Sequence, residues 1–252
     1  MTTITIGQRK GGNGKSTSAL NLAEAFAMRG KRVLVIDLDD QKNSTSAIEA
    51  AVPTHTVEEL LLRPEVTVAA AAVSTTWEGV SLIAASSSLS GAIRELDGEV
   101  GSHLALREKL AVVTDFDICL IDTSPSLNIL VVNALCASRW LFIPLSSKYF
   151  SLQGLGQTLE AFAKVKARLN PELGILGMAF VLHDARSSLS REVVQKARDE
   201  YPTLVCDAMV GTNIRIEEAQ VKRQSIFTYA PDDRGSSQYR ELAAELLDRM
   251  EG

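Results

Sequence analysis

The stretch Lys10-Gly11-Gly12-Asn13-Gly14-Lys15-Ser16-Thr17 leaves this chain little freedom in what it can fold into. It lies between an alternating apolar run at residues 2–7 and a helical pattern that begins near Lys15. A strand that passes through glycines into a helix N-terminus makes an anion site. Backbone N–H groups, freed of side-chain bulk, converge on phosphate oxygens, and the helix dipole adds positive potential. In such a turn Lys15 reaches the β- and γ-phosphates of a nucleotide and the Ser16 hydroxyl ligates Mg²⁺. The candidate phosphate-binding residues are therefore Gly11, Gly12, Asn13, Gly14, Lys15, Ser16 and Thr17.

Around this turn, strand and helix patterns alternate. Strands are expected at 2–7, 32–37, 80–84, 117–122, 140–145 and 175–182, with short ones at 204–209 and 226–229. Helices are expected at 15–28, 57–62, 103–112, before 137, at 151–169, 190–201 and 237–250. The run RVLVID at 32–37 is almost continuously apolar, as in a strand buried on both faces. The alternation implies an α/β fold: a doubly wound, mostly parallel sheet flanked by helices, with residues 1–252 in one domain. Ligands of such sheets bind at the carboxyl ends of the strands. The loops after Gly7, Asp37 and Asp122 all fall on that edge.

Bulk composition narrows the function classes. A net charge of −5 provides no whole-protein field for nucleic acid, so DNA binding would need a local basic patch. The three cysteines, Cys119, Cys136 and Cys206, are odd in number and lack CxxC spacing, which fits buried thiols in a reducing cytoplasm. No stretch approaches 18 uninterrupted apolar residues, so no membrane span is expected.

Two further carboxylate sets belong beside the glycine loop. Asp122 ends the apolar run Ile118–Ile121 and can hold Mg²⁺ through its water shell, because Mg²⁺ dehydrates reluctantly. An aspartate in that position is also a common helix cap. Asp37 and Asp39, two residues apart beside a phosphate site, repel each other and the substrate unless a metal or a proton is there to accept.

The strict phosphate-loop pattern GxxxxGK[ST] is not met, since its first glycine would fall at Arg9. The form present, KGGxGK[ST], carries an extra lysine at Lys10 and resembles the deviant Walker A box of the ParA/MinD group of P-loop ATPases. The segment VLVIDLDDQKNST resembles the second signature box of ParA proteins, usually DxDPQxN, with Asp40 in place of proline and Lys42 where glycine is frequent. DFDICLIDTSPSLN is similar to the family's Walker B box, and Pro144 with YFSLQGL to the region after the next strand. HDARSSLSREVV, GTNIRIEEAQ and APDDRGSSQY resemble the C-terminal half, with Thr212 where arginine is frequent.

The resemblance to ParA/Soj partition ATPases implies ATP and Mg²⁺ as cofactors. It implies that Asp39 orients and deprotonates the attacking water, that Asp37 helps hold the metal shell, and that Asn213 faces the adenine. It further implies an ATP-dependent sandwich homodimer in which Lys10 reaches the partner's phosphates, so that Lys10, Lys15 and Asp39 form the catalytic set. DNA binding without sequence preference falls to Arg215, Lys222, Arg223 and Arg234. Glu217, Glu218, Asp232 and Asp233 lie beside them, so a solvated mixed-charge surface remains the other reading. The implied function is segregation of a chromosome or plasmid by a cytoplasmic, nucleoid-associated switch stimulated by a ParB-like partner. Alternatives on the same scaffold are a relative that positions other cargo, a MinD-like membrane switch and an ATP-dependent synthetase. The C-terminal ELAAELLDRMEG is amphipathic but acidic, which disfavours the membrane.

Overall fold

The computed structural model describes residues 1–147 and 151–252; the YFSLQGL segment therefore enters the description at Ser151. In chain order the elements are β1 Thr2–Ile6, α1 Lys15–Ala27, β2 Val33–Leu38, α2 Asn43–Ala47, α3 Val57–Leu62, α4 Val68–Ala71, β3 Val73–Ser74 and β4 Val80–Ile83. They continue as α5 Leu89–Asp97, α6 Ala105–Leu110, β5 Ile118–Thr123, α7 Ile129–Ala137, β6 Trp140–Ser146 and α8 Ser151–Arg168. The last are β7 Gly174–Leu182, α9 Ser188–Glu200, α10 Ile214–Val221, α11 Ile226–Tyr229 and α12 Arg234–Glu251.

The strands form one sheet in the order β3-β4-β2-β5-β1-β6-β7, parallel throughout except for β3 against β4. The continuous apolar runs arise because both faces are covered. Val33 and Val35 pack with Leu20, Phe26 and Tyr239 on the α1/α12 side. Leu34 and Ile36, one residue out of phase, pack with Leu60, Leu96 and Leu106 on the α3/α5/α6 side. Ile118 and Leu120 against Cys119 and Ile121 divide in the same way, as successive side chains of a strand must. A third cluster seats β6, β7, α8 and α9 around Leu141, Ile143, Phe180, Leu155 and Val193.

The sheet expected from the sequence is thus present, with several local differences. The strand expected at 204–209 pairs with β7 only intermittently. The Met178 N–H of β7 donates to the Leu204 carbonyl and the Cys206 N–H to the Met178 carbonyl, but the Asp207 and Ala208 N–H groups donate to the Glu245 carboxylate at 3.0 and 2.8 Å, which draws the segment off the ladder. The strand expected at 226–229 is the helical turn α11, whose cap Ser225 accepts from the Thr228 N–H. The predicted helix at 103–112 is a 3₁₀ turn at Ser102–Leu104 followed by α6. Helices α2, α4, α5 and α10 and the short strand β3 arise where no element was expected, and α12 begins three residues early because Asp233 caps it.

Candidate nucleotide site

The glycine loop joins β1 to α1. Gly12 and Gly14 hold φ of +71° and +75°, a left-handed conformation that costs a side-chain-bearing residue about 1–2 kcal/mol. At Gly14 an added Cβ would also meet Val181 Cγ2 at 3.0 Å. Helix α1 starts at Lys15 with no side-chain cap and no acidic residue in its first turn. Its first intrahelical bond is from Ser18 N–H to the Gly14 carbonyl. The amides of Lys15, Ser16 and Thr17 are thereby left without helical acceptors, the condition for binding an anion. Asn13 is buried, and its Nδ2 has no hydrogen-bond partner among the described groups.

Above the loop lies a cavity of about 630 Å³ lined by Gly11, Gly12 and Gly14 to Thr17, by Asp39, Gln41, Asn43, Ser46 and Ala47, by Pro125, and by Glu217, Gln220 and Val221. Lys15 is buried, and burial lowers the pKa of its ammonium while the charges of Asp122 and Asp39 raise it. A nearby polyanion would further favour its charged form.

The carboxylates are wired together. β2 and β5 run in register, so Asp37 stands opposite Asp122. Asp37 Oδ1 accepts the Asp39 N–H at 3.1 Å, and its Oδ2 accepts the Thr45 N–H at 2.8 Å and the Thr45 hydroxyl at 2.7 Å. Asp122 Oδ2 accepts the Ser44 hydroxyl at 2.7 Å. Asp39 Oδ1 accepts the Gln41 N–H at 3.0 Å. Burial pushes Asp37 up to about 6 against the hydrogen bonds of Thr45. Burial and the charge of Asp37 push Asp122 up to about 7, opposed by the hydroxyls of Ser16 and Ser44. Asp39 is raised mainly by burial.

Asp122 Oδ1 is buried without a hydrogen-bond partner. Two wholly buried carboxylates side by side, one with an orphaned oxygen, fit a divalent cation that would favour their ionised forms. Among the described residues no three His, Cys, Asp or Glu side chains form a metal-binding set, so phosphate oxygens and water would complete the shell, as Mg²⁺ prefers.

A family model described as an AAA domain matches residues 1–175. The chain is 36% identical over 250 residues to the chromosome partitioning protein ParA of Caulobacter vibrioides, covering 98% of this chain and 94% of that one. The chain belongs to the ParA/Soj family of ATPases. It is also 35% identical over 246 residues to the sporulation initiation inhibitor protein Soj of Bacillus subtilis, covering 96% of this chain and 97% of that protein. Crystal structures of cobyrinic acid a,c-diamide synthase from Mycobacterium smegmatis, with bound ADP and magnesium or with an ATP analogue and magnesium, superpose with TM-score 0.86 at 31% identity. They cover 100% of this chain and 96% of theirs.

The other candidates of this ParA/Soj-type chain are distributed as follows. Lys10 is half-buried at the start of the glycine loop and is not among the residues lining the cavity. Asn213, expected to face the adenine, does not line the cavity either. Its Oδ1 caps α10 by accepting the Arg215 N–H at 2.9 Å, and its amide donates to Asp233. Arg215 pairs with Glu218 at 2.9 Å on α10, and Lys222 and Arg223 are exposed at the end of that helix. Arg234 opens α12, with its guanidinium lying over Gly211.

The sequence reading missed Ser44 and Thr45, which hold Asp122 and Asp37, although the polar run after Asp39 marked the spot. It also missed α10 as a wall of the cavity, where Gln220 Nε2 donates to Thr17 Oγ1 at 2.9 Å. Nothing in the local pattern ties residue 220 to residue 17.

Proposed function

We propose that this ParA/Soj-type ATPase is an ATP-dependent DNA-partitioning switch. The observation that carries this reading is that α10 serves two surfaces at once. Its Glu217, Gln220 and Val221 line the nucleotide cavity, while Arg215 stands on its first turn and Lys222 and Arg223 follow directly at its C-terminal end. A helix that contacts the nucleotide can change the presentation of its cations when the γ-phosphate comes or goes.

In this reading ATP lies on the amides of Gly11 to Thr17, with Lys15 at its phosphates. Mg²⁺, when bound, would supply positive charge to offset that of the phosphates. Ser16, Asp122 and Asp37 would hold it. Asp39 orients the attacking water and takes its proton, helped by burial that raises its basicity. Lys10 extends to the phosphates of a second copy in an ATP-dependent homodimer, where a further cation offsets charge on the transferred group. DNA is held without sequence preference by Arg215, Lys222, Arg223 and Arg234. A ParB-like protein accelerates turnover, and the chain works in the cytoplasm on the nucleoid. Among the described residues, no helix is long and apolar enough to cross a membrane.

Co-sedimentation with DNA in ADP, ATP and a non-hydrolysable ATP analogue, at low and moderate salt, tests the proposal. Binding is expected only with ATP or the analogue, and should fade steeply with salt because the release of counterions from the DNA then gains less. Binding that ignores the nucleotide, or none at all, would refute the switch. Hydrolysis without any acceptor substrate separates it from a synthetase.

A further inference from the structure

Helix α8 packs against residues 8–10, which lead into the glycine loop. Gly154 and Thr158 lie one turn apart on it, facing the residues that lead into the glycines. The Thr158 hydroxyl oxygen accepts the Arg9 N–H at 3.1 Å and lies 2.8 Å from both Gln8 Oε1 and the Gly154 carbonyl, to either of which it can donate. Thr158 and Gln8 are both buried. A Cβ built on Gly154 would stand 3.1 Å from Lys10 Cβ and 3.2 Å from Gln8 Oε1. A methyl group there would force Lys10 or Gln8 to shift by a few tenths of an ångström.

The helix is itself anchored elsewhere, through Leu155 and Val165 in the β6/β7 cluster. Beneath Gln8 and Arg9 lies a cavity of about 20 Å³, bordered also by Thr123, Ser124 and Thr158. The segment leaving β1 is held to α8 by the hydrogen bonds of Thr158 and by the close approach of Gly154 to Lys10 and Gln8.

We propose that Thr158, working with Gly154, is a positioning residue that fixes residues 8–10 and so the leading half of the phosphate loop for hydrolysis. It touches no reacting atom. Its hydroxyl meets Gln8 and Arg9 and none of Gly14 to Thr17, the uncapped helix start that provides the main anion site. Loosening it should therefore spare the binding of ADP and harm the step that needs the whole loop in place. The inference rests on the ATPase assignment and not on DNA binding.

The test compares Thr158→Val, Thr158→Ser and Gly154→Ala in the full chain. Steady-state ATP turnover, ADP affinity by titration calorimetry and thermal unfolding are measured for each. Thr158→Val is expected to lower kcat about tenfold, since small misplacements of reacting groups are costly, while ADP affinity stays within about twofold. Thr158→Ser, which keeps the hydroxyl, should restore turnover. Gly154→Ala should also lower kcat, although alanine favours the helix, because the new methyl group displaces Lys10 or Gln8. This second variant keeps the test open if the valine protein fails to fold. Wild-type kcat in Thr158→Val or in Gly154→Ala would overturn the proposal. So would a serine variant as slow as the valine one, or ADP affinity that falls in parallel with kcat.

Discussion

Replacing Thr45 by valine isolates the link between the buried carboxylate Asp37 and the loop after β4. The two side chains are nearly the same size, so little cavity or overlap is created. What disappears is one hydroxyl that donates to Asp37 Oδ2 at 2.7 Å and accepts the Ala85 N–H at 3.0 Å. A hydrogen bond to an ionised acceptor is worth about 1.5–3 kcal/mol, and an orphaned buried N–H costs about 1–3 kcal/mol. Thr45 is half-buried, which lets water recover part of this, so the expected loss is about 3 kcal/mol at neutral pH. For a chain of this length that corresponds to a fall in Tm of about 6–12 °C.

The loss should depend on pH with a definite sign. The Thr45 hydroxyl favours the charged form of Asp37, whose pKa stands at about 6. The penalty is therefore larger above that value, where the carboxylate is ionised, than below it. Thermal unfolding of the metal-free, nucleotide-free protein at pH 5 and pH 8 measures both values, with Thr45→Ser as the control that keeps the hydroxyl. A valine variant that melts within about 2 °C of the parent at pH 8 would refute the assignment of Thr45 as the support of Asp37. A penalty greater at pH 5 would refute the direction.

Three other outcomes follow from the site and its walls. Asp39→Ala should still bind ATP but lose turnover, read by nucleotide titration beside a phosphate-release assay; an ordinary hydrolysis rate would remove Asp39 from the chemistry. Asp37 and Asp122 hold their protons more tightly folded than unfolded, so the folded state binds more protons between about pH 4, the unfolded aspartate value, and pH 7. Stability of the metal-free protein should fall as pH rises across that window, and Mg²⁺ with nucleotide should raise Tm more at pH 8 than at pH 6. Arg223, the residue after the α10 C-cap Lys222, holds φ +55°, and Arg223→Gly should relieve that strain and stabilise the chain by about 1 kcal/mol in denaturant unfolding.

The sheet and its phosphate edge were legible in the sequence because each depends on residues close together along the chain. Apolar runs such as 33–36 and 118–121 mark strands covered on both faces, and Gly12 and Gly14 mark a left-handed turn that few other residues tolerate. Lys15, Ser16 and Asp39 line the cavity in the structure for the same reason, since a loop at a strand's carboxyl end has only one edge to occupy. Tertiary contacts decided the rest. The ladder beside β7 breaks at Asp207 because Glu245, 38 residues away, accepts its N–H. Residues 226–229 turn into helix because Ser225 caps them and Asn21 Oδ1 accepts the Ile226 N–H. Asn213 became a helix cap bonded to Asp233, and α10 became a cavity wall, through partners distant in sequence. Local pattern encodes what a residue's neighbours in the chain require; which distant acceptor meets a given N–H or hydroxyl is fixed only when the layers pack.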